Sequence, residues 1–451
     1  MASLNPDNPV NPGLRCVPSS FVPACAEQID KLPTDIETTV DTTTCAPKVI
    51  VNIIPHPDII PPNVDMTVAP RGTGAFELDI PDNAVPGGNC RGDNAADLQM
   101  TRTVATQVAS GDRASIPGGR DNTASGANSL AGGQGTISSG MASFAFGGVT
   151  TTGILEAQSD GSIAQGYVGG TGTIQTGSSA EGSRAWGFVG GSGMITTGNT
   201  AEGSHAWGHV ATTGTIETGS SGDGASSHGY TTNSFAISAA GRGSHAEGST
   251  ADGSIIASGE GSHAEGSNAE STAFASHANG SGALARLRAS DCLSSGTNFG
   301  DGASPIARGN SQCCKYVVRN STTGVQTVQL FLDGDTGTLR LDLPDDTSWA
   351  YCIYVVARGT CTPGEETVTN ADAAYRHEGL IEQSNGTTVS LANTKTVIFE
   401  SAAGLDSNVD AGSSATNDAL VITVTGDTNC NIRWTACVET TEVSRDRPTP
   451  T

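Results

Sequence analysis

Histidine recurs at one position of a repeated phrase in the middle of the chain. His205, His245 and His263 each follow a Gly-Ser pair and precede an alanine. Neutral imidazole is a good ligand for transition metals, and its charge changes near neutral pH. If three chains set this column around a threefold axis, each level would present three imidazoles able to hold a metal or an anion, or to act as a pH switch. The alternative is a surface or interchain histidine without a ligand. Apart from this column, the sequence predicts no metal and no cofactor.

Two of these histidines are followed by an acidic residue at a fixed spacing. Glu247 and Glu265 lie two positions after His245 and His263, and residues two apart share one face of a β-strand. The spacing therefore predicts that imidazoles and carboxylates lie side by side. A simple His–Glu hydrogen bond between neighbouring coils is enough to explain the pattern.

The sequence contains none of the usual catalytic motifs. The G-x-S-x-G, Walker and H-E-x-x-H patterns are all missing. A polysaccharide-degrading spike with paired carboxylates is the alternative, because acidic residues are plentiful. Sugar cleavage needs a walled groove with aromatic side chains, whereas the repeats have short corners and few rings. The sequence therefore predicts that the protein is not an enzyme.

The charge balance of the chain is strongly acidic. Its 451 residues include 22 basic and 46 acidic side chains, for a formal net charge of −24 at pH 7. Such a surface repels phosphate backbones and anionic lipid, so neither nucleic acid nor a membrane is an expected partner. The start of the chain lacks the basic and apolar regions of a secretory signal. The longest apolar run, YCIYVVA, has about seven residues and is too short to span a bilayer.

The histidine phrase belongs to a longer repeat that occupies residues 141–285. Gly-Ser or Gly-Ala starts recur at a constant step at 161, 182, 203 and 224, and then at slightly shorter steps at 243 and 261. The repeats from 161 to 224 each place a ring six positions after the start, at Tyr167, Phe188, His209 and Tyr230. Each of them also has one isoleucine further on, at Ile174, Ile195, Ile216 and Ile237. A fixed period of this size indicates stacked supersecondary units with glycine at the corners. The expected fold is all-β, with a thin β-solenoid, or β-roll, as its shaft.

A coil this thin is not expected to be stable in a single chain. One isoleucine and a few alanines bury little apolar area, at roughly 25 cal/mol per Å2, against the entropy of ordering each coil. Association of several chains, most simply a homotrimer, would supply the missing burial. The candidates for the trimer seam are the large side chains of the repeats, Tyr167, Trp186, Phe188, Trp207 and Tyr230.

The regions flanking the repeats differ from them in composition. The first residues are rich in proline, which favours extended chain, and we interpret them as an arm that anchors to a partner. Several segments near the C-terminus alternate apolar and polar residues, which predicts an antiparallel β-sandwich or jelly roll. The expected organisation is an anchoring arm at 1–70, a lead-in with the first repeats at 71–140, solenoid repeats at 141–285, a junction at 286–309, a β-sandwich knob at 310–445 and a tail at 446–451.

Eleven cysteines avoid the middle of the chain. No C-x-x-C pair occurs, which argues against a zinc site. Disulfides within or between chains, and free thiols acting as small buried hydrophobes, are both compatible with this pattern.

Particular phrases resemble known families. GSHAEGSTADGS and GEGSHAEGSNAEST resemble the head of trimeric autotransporter adhesins, which build a trimeric left-handed β-roll from S-x-A-x-G phrases. The flanks resemble a second group, the fibre and spike proteins of phages and large DNA viruses. That resemblance rests on RGTGAFELDIPDN and QVASG before the repeats, and on GDGASPIARGNSQCCKY, LPDDTSWAYCIYVVAR and IRWTACVETTEV after them.

The second resemblance implies a structural fibre or spike on the virion surface, attached to a tail or a capsid and made in the host cytoplasm. It implies a homotrimer whose N-terminal arm binds a virion protein and whose knob attaches to a glycan or protein receptor of the host surface. The alternatives are a capsid-decorating or cementing protein, a polysaccharide-degrading spike and a cell-surface adhesin.

Overall fold

A computed structural model describes most of the chain after the first 72 residues. The described residues are 73–250, 253–296, 308–334, 337–362, 369–401, 404–412 and 418–444, together with two short strands at 38–41 and 48–51. Apart from those two strands, the expected arm at 1–70 lies outside the described residues, and so does the expected tail at 446–451.

The described residues form strands and no helices, which confirms the all-β prediction. The first strands are β1 (Thr38–Asp41), β2 (Lys48–Val51), β3 (Phe76–Glu77), β4 (Ala96–Asp97), β5 (Ser115–Ile116) and β6 (Gly119–Arg120). The next are β7 (Thr123–Ala124), β8 (Leu130–Gln134), β9 (Thr136–Ser138), β10 (Phe144–Val149), β11 (Ile154–Ala157), β12 (Ile163–Val168), β13 (Thr173–Gln175), β14 (Arg184–Val189), β15 (Met194–Thr196), β16 (His205–Val210), β17 (Thr215–Thr218), β18 (Ser226–Thr231), β19 (Ala236–Ala239), β20 (His245–Ser249), β21 (Ile255–Ala257), β22 (His263–Ser267), β23 (Glu270–Ser271), β24 (His277–Ser281), β25 (Leu284–Ala285) and β26 (Asp291–Ser295). The last are β27 (Ser311–Thr323), β28 (Thr327–Gln329), β29 (Leu341–Asp342), β30 (Thr347–Cys361), β31 (Thr369–Ser384), β32 (Thr387–Glu400), β33 (Asp406–Ala411), β34 (Ala419–Thr425) and β35 (Cys430–Ser444). No helix in the described part of the chain has the length and apolar character needed to cross a membrane.

The strands from β7 to β26 form two parallel ladders that face each other, so the predicted β-solenoid is confirmed. Ladder A contains the even-numbered strands from β8 to β26, and ladder B the odd-numbered strands from β7 to β25. Each coil adds one strand to each ladder, in register with the coil before it: Ala164 pairs with Ala185, and Ala185 with Ala206. Ladder A is extended at its start by β3, β4 and β5, which also pair in parallel.

The interior between the two ladders is filled by columns of mostly small side chains that run along the solenoid. Because side chains alternate along a strand, every second residue of ladder A points inward, and the central inward column is almost entirely alanine. One large aliphatic residue per coil faces it from ladder B: Leu155, Ile174, Ile195, Ile216, Ile237 and Ile255, all fully buried. Neighbouring coils satisfy each other's backbone groups, as in other solenoids.

Glycine is needed where one coil passes closest to the next. Gly208, in β16, has φ +145, and a Cβ built there would lie 2.0 Å from the carbonyl oxygen of Gly229 in the next coil. No larger residue fits such an approach. Gly203 has φ +61 at the preceding turn, but a Cβ there meets nothing within 4 Å.

The C-terminal module is a two-layer antiparallel structure. Its larger sheet continues ladder A, in the order β26, β27, β35, β30, β31 and β32. A smaller sheet of β28, β29, β33 and β34 packs on one face of it. The core between the layers contains the largest buried side chains of the described residues, among them Trp349, Tyr375 and Trp434.

One buried histidine belongs to this core rather than to any site. The Nε2 atom of His377 lies 2.7 Å from the Ser407 hydroxyl oxygen, and its side chain is fully buried. Desolvation lowers the pKa of His377 below its ordinary value; Lys395 acts in the same direction, and Asn393 and Asp406 act against it.

The solenoid and the C-terminal module are joined by covalent and polar contacts. Cys292 ends the alanine column of ladder A and forms a disulfide with Cys314, its cross-strand partner in β27. Arg308 forms an ion pair with Glu270 of ladder B. The Gln312 side chain bonds both the backbone nitrogen and the carbonyl oxygen of Leu284. A second disulfide, Cys361–Cys430, closes the far end of the module.

Candidate functional site

The outward side chains of ladder A form the candidate site. Three outward columns run along this face, which we call the outer face of ladder A. The first column holds Ile163, Arg184, His205, Ser226, His245, His263, His277 and Asp291. The second holds Gln165, Trp186, Trp207, His228, Glu247, Glu265, Asn279 and Leu293. The third begins with Tyr167, Phe188, His209 and Tyr230.

Aromatic rings stack along this face in the first half of the solenoid. Trp186 and Trp207 are parallel with centroids 5.0 Å apart, and Trp207 stacks on His228 at 4.2 Å. In the third column Tyr167 stacks on Phe188 at 5.5 Å, and His209 and Tyr230 continue the same line. All five candidate seam residues therefore lie on one half-exposed face of a single chain.

In the second half of the solenoid the rings give way to a mixed cluster, which we call the His–Glu ladder. Its imidazoles, from His228 through His245 and His263 to His277, follow one another at centroid distances of 5.1, 4.8 and 4.7 Å. A carboxylate of Glu247 lies among three of them, 2.8 Å from the Nε2 of His228, 3.4 Å from that of His245 and 3.5 Å from that of His263.

A second carboxylate repeats this arrangement at the next coils. Glu265 lies 4.0 Å from the Nε2 of His263 and 3.4 Å from that of His277. The Nδ1 of His277 is also 3.2 Å from a carboxylate oxygen of Asp291. An open depression of about 520 Å3 lies over His228, Glu247 and Glu265, so solvent reaches the ladder from one side.

Three groups of the cluster, His228, His263 and Glu247, have pKa values that differ from their ordinary ones. Burial lowers the pKa of His228 and of His263 below the ordinary histidine value, and this effect outweighs the opposing pull of the nearby glutamates. For Glu247, desolvation by itself raises the pKa, but His245, His228 and His263 together outweigh it, so the pKa lies below its ordinary value. Neutral imidazoles beside a carboxylate form a typical ligand set for a transition metal.

The imidazole nitrogens of the ladder are poorly satisfied. The Nε2 atoms of His245, His263 and His277 are shielded from solvent and form no hydrogen bond, although carboxylate oxygens lie 3.4–3.5 Å away. Buried polar atoms without partners are uncommon in folded proteins and call for an explanation.

Two of the three histidines expected from the sequence belong to this cluster. His245 and His263 are adjacent, whereas His205 lies two coils earlier, next to Ser226 and 5.9 Å from the Trp186 ring. Burial, followed by Arg184, lowers the pKa of His205. The arrangement of the column around a threefold axis stays a prediction.

The repeat pattern in the sequence did not reveal His228 and His277 as members of the cluster. His277 repeats the Ser-His-Ala phrase, but it follows His263 more closely than His263 follows His245, and so it falls outside the period. His228 lies in the second column, where its alignment with Trp207 and Glu247 was the available signal.

The outer face of ladder A continues without a break onto the C-terminal module. Asp291 and Leu293 of β26 face outward beside Lys315 and Cys313 of β27. The outward side of the larger sheet and its edge strand β32 expose many apolar side chains: Leu293, Val317, Tyr354, Val356, Leu380, Val389, Leu391, Val397, Ile398, Phe399 and Val443. Among the described residues, the cysteines that form no disulfide, Cys313, Cys352 and Cys437, lie on this same side.

No protein-family model matches the chain, and no curated protein matches it. Among solved structures, it is similar to the tailspike protein of Acinetobacter phage vB_ApiP_P1, with 11% identity over 83% of this chain and 80% of that one, at a TM-score of 0.20. It is also similar to the tailspike protein of Acinetobacter baumannii phage AM24, with 7% identity over 80% of this chain, at a TM-score of 0.19. The match spans 60% of the length of that second tailspike.

Proposed function

We propose that this chain is a structural fibre or spike of a virus particle that attaches the particle to a host surface. The arm at 1–70 binds a virion protein, the solenoid holds the two ends apart, and the C-terminal module contacts a host glycan or protein. The observation on which this rests is an in-register stack of coils that runs directly into a two-layer module through one continuous sheet.

The solenoid has the properties of a spacer. Ladder B alone has ten strands, and parallel strands lie about 4.8 Å apart, so its nine steps span about 43 Å. The joint at its end is held by the Cys292–Cys314 disulfide and the Arg308–Glu270 ion pair. A rod stiffened in this way can transmit position and force from an anchor to a tip.

A homotrimer accounts for the exposed apolar residues. The outer face of ladder A leaves Tyr167, Phe188 and Tyr230 about two-fifths exposed, and the larger C-terminal sheet leaves Val356 and Phe399 more than half exposed. Contiguous apolar surface of this kind is typical of association sites. Three copies packed through this face would bury the rings and supply the burial that a single thin coil lacks. Linking three tips also allows weak receptor contacts to act together.

The oligomeric state is tested by light scattering on the purified full chain, with and without reducing agent. We expect a mass three times the 45.4 kDa of one chain in both conditions. A monomer would contradict the trimer seam. A trimer that dissociates only on reduction would indicate interchain disulfides instead, for which the described residues offer Cys313, Cys352 and Cys437.

Attachment is tested with the labelled full chain on host cells and on purified surface polysaccharide. We expect saturable binding without release of new reducing ends. Release of sugar would identify a polysaccharide-degrading spike and overturn the prediction that the protein is not an enzyme. Removal of residues 1–70 should abolish association with the particle while leaving the trimer and host binding unchanged. Particle association that survives the deletion would contradict the role given to the arm.

A further inference from the structure

We propose that the His–Glu ladder binds two divalent transition-metal ions, each held within a single chain. The first site consists of His228, His245 and Glu247, and the second of His263, Glu265 and His277. This inference does not depend on the proposed function or on a threefold axis, since each set of ligands comes from neighbouring coils of one chain.

The ligand atoms of each site lie near metal-binding separations, although Glu265 is 4.0 Å from the Nε2 of His263. Within each set of three residues, one nitrogen or oxygen per residue lies within 4.8 Å of the other two. Tetrahedral zinc with bonds of about 2.0–2.1 Å places its ligand atoms about 3.3 Å apart. In the first site, the Glu247 oxygen is 2.8 Å from the Nε2 of His228 and 3.4 Å from that of His245. In the second, Glu265 and His277 are 3.4 Å apart.

The donor types select the class of ion. Two imidazoles and one carboxylate suit Zn2+, Co2+, Ni2+ or Cu2+, whereas Ca2+ and Mg2+ prefer shells made of oxygen alone. Three protein ligands leave one tetrahedral position for water. In the single chain, the open depression over His228 and Glu247 gives that position access to solvent.

Hydrogen bonding within the ladder leaves these groups incompletely satisfied. Glu247 has two oxygens but faces three imidazoles, and only the His228 contact at 2.8 Å is short. The shielded Nε2 atoms of His245, His263 and His277 have no hydrogen-bond partner. A metal ion would use these nitrogens directly.

The backbone holds the ligands in place before any ion arrives. His245, His263 and His277 are aligned in consecutive strands of ladder A, and Glu247 is paired with both His228 and Glu265. His205 belongs to the same column, but its neighbours in the ladder are Arg184 and Ser226. A histidine at this column position is therefore not sufficient to form a metal site, and His205 provides a matched control.

The second site also lies beside coils whose core side chains are small. The run of large aliphatic residues ends at Ile255, and the following strands of ladder B, β23 and β25, have two residues each and bury Ser271 and Ala285. An ion that crosslinks successive coils there would strengthen a part of the solenoid in which each coil buries little apolar surface. This end is also the one that carries the C-terminal module.

The test is equilibrium dialysis of the full-length protein against Zn2+, after a chelator has removed any metal bound during purification. Glu247→Gln and Glu265→Gln should each take up one equivalent less than the wild type, and the double variant two fewer. Each substitution should weaken its own site by about 100-fold. His205→Gln should bind as the wild type does. Uptake that is unchanged in the double variant, or lost only when the cysteines are blocked, overturns the proposal.

A second measurement locates the ion by its effect on a neighbouring tryptophan ring. The Trp207 ring stacks on His228 at 4.2 Å, so Cu2+ in the first site should quench tryptophan fluorescence, and a chelator should restore it. Glu247→Gln should remove this quenching, and Glu265→Gln should keep it. Co2+ should show the visible bands of a nitrogen–oxygen site without thiolate charge-transfer absorption. Wild-type protein without quenching would refute the first site.

Discussion

Substitutions at two glycines of one repeat distinguish the stability cost of close packing between coils from the cost of turn geometry alone. Gly203→Ala and Gly208→Ala make the same chemical change within that repeat. At Gly203 the added methyl group meets nothing within 4 Å, and at Gly208 it would lie 2.0 Å from the Gly229 oxygen and 2.9 Å from the Cδ1 of Ile216. The two variants therefore differ chiefly in what the methyl group contacts.

The expected costs follow from this geometry. Alanine at Gly203 keeps φ +61, which costs about 1 kcal/mol in the left-handed region. At Gly208 a contact of 2.0 Å cannot be relieved without moving β16 and β18 apart. That movement breaks about three hydrogen bonds at roughly 1 kcal/mol each, and alanine at this unusual φ adds about 1 kcal/mol or more. We expect Gly208→Ala to destabilise its coil by at least about 4 kcal/mol.

Hydrogen exchange measured by mass spectrometry on peptides covering 205–231 tests this difference. By the relation of about 1.4 kcal/mol per tenfold change, Gly208→Ala should raise exchange in those peptides by about 1000-fold, and Gly203→Ala by about five- to tenfold. Tryptophan fluorescence should also report unstacking of Trp207 from His228, its neighbour in β18, in Gly208→Ala alone. Equal exchange in the two variants would refute the reasoning, because it would mean that the spacing between coils does not limit the residue at position 208.

Three further outcomes are expected. Ile216→Ala should lower the free energy of unfolding by about 3 kcal/mol, whereas Met194→Ala, on the surface of the same ladder, should change it by less than about 0.5 kcal/mol; urea titration compares them. Replacing both Cys361 and Cys430 with alanine should lower the free energy of unfolding by about 4 kcal/mol, because the disulfide bridges a separation of 69 residues. An unchanged free energy of unfolding would contradict this. The unfolded chain protonates His377 at its ordinary pKa and the folded chain only at a lower pH, so stability should fall as pH drops below about 6.5, and His377→Gln should reduce that fall.

The repeat period was enough to predict the solenoid. Residues one period apart, such as Ala185 and Ala206, can align only if each coil stacks directly on the last, and the structure pairs them. The alternation of apolar and polar residues likewise predicted the antiparallel C-terminal strands. Both are local patterns that recur often enough to be compatible with a single backbone fold.

The ends of the solenoid could not be located from the period. Ladder A pairs His263 with His277 and His277 with Asp291, and both steps are shorter than the step from His245 to His263. The corner that follows the ladder A strand is shorter there, and the ladder B strands β23 and β25 have two residues each. The ladder therefore continues to β26, past residue 285. An alignment on the longer period of the preceding coils does not find these last ones.

The amino-acid order alone settled that this chain is all-β, that its middle is a solenoid, and that histidine recurs in one column. The folded chain was needed to show which side chains meet. His228 and Glu247 belong to different coils and are well separated in the sequence, yet they lie 2.8 Å from each other. A parallel ladder places neighbours one coil away, so the chemistry of a site depends on the length of each coil as well as on the residues within it.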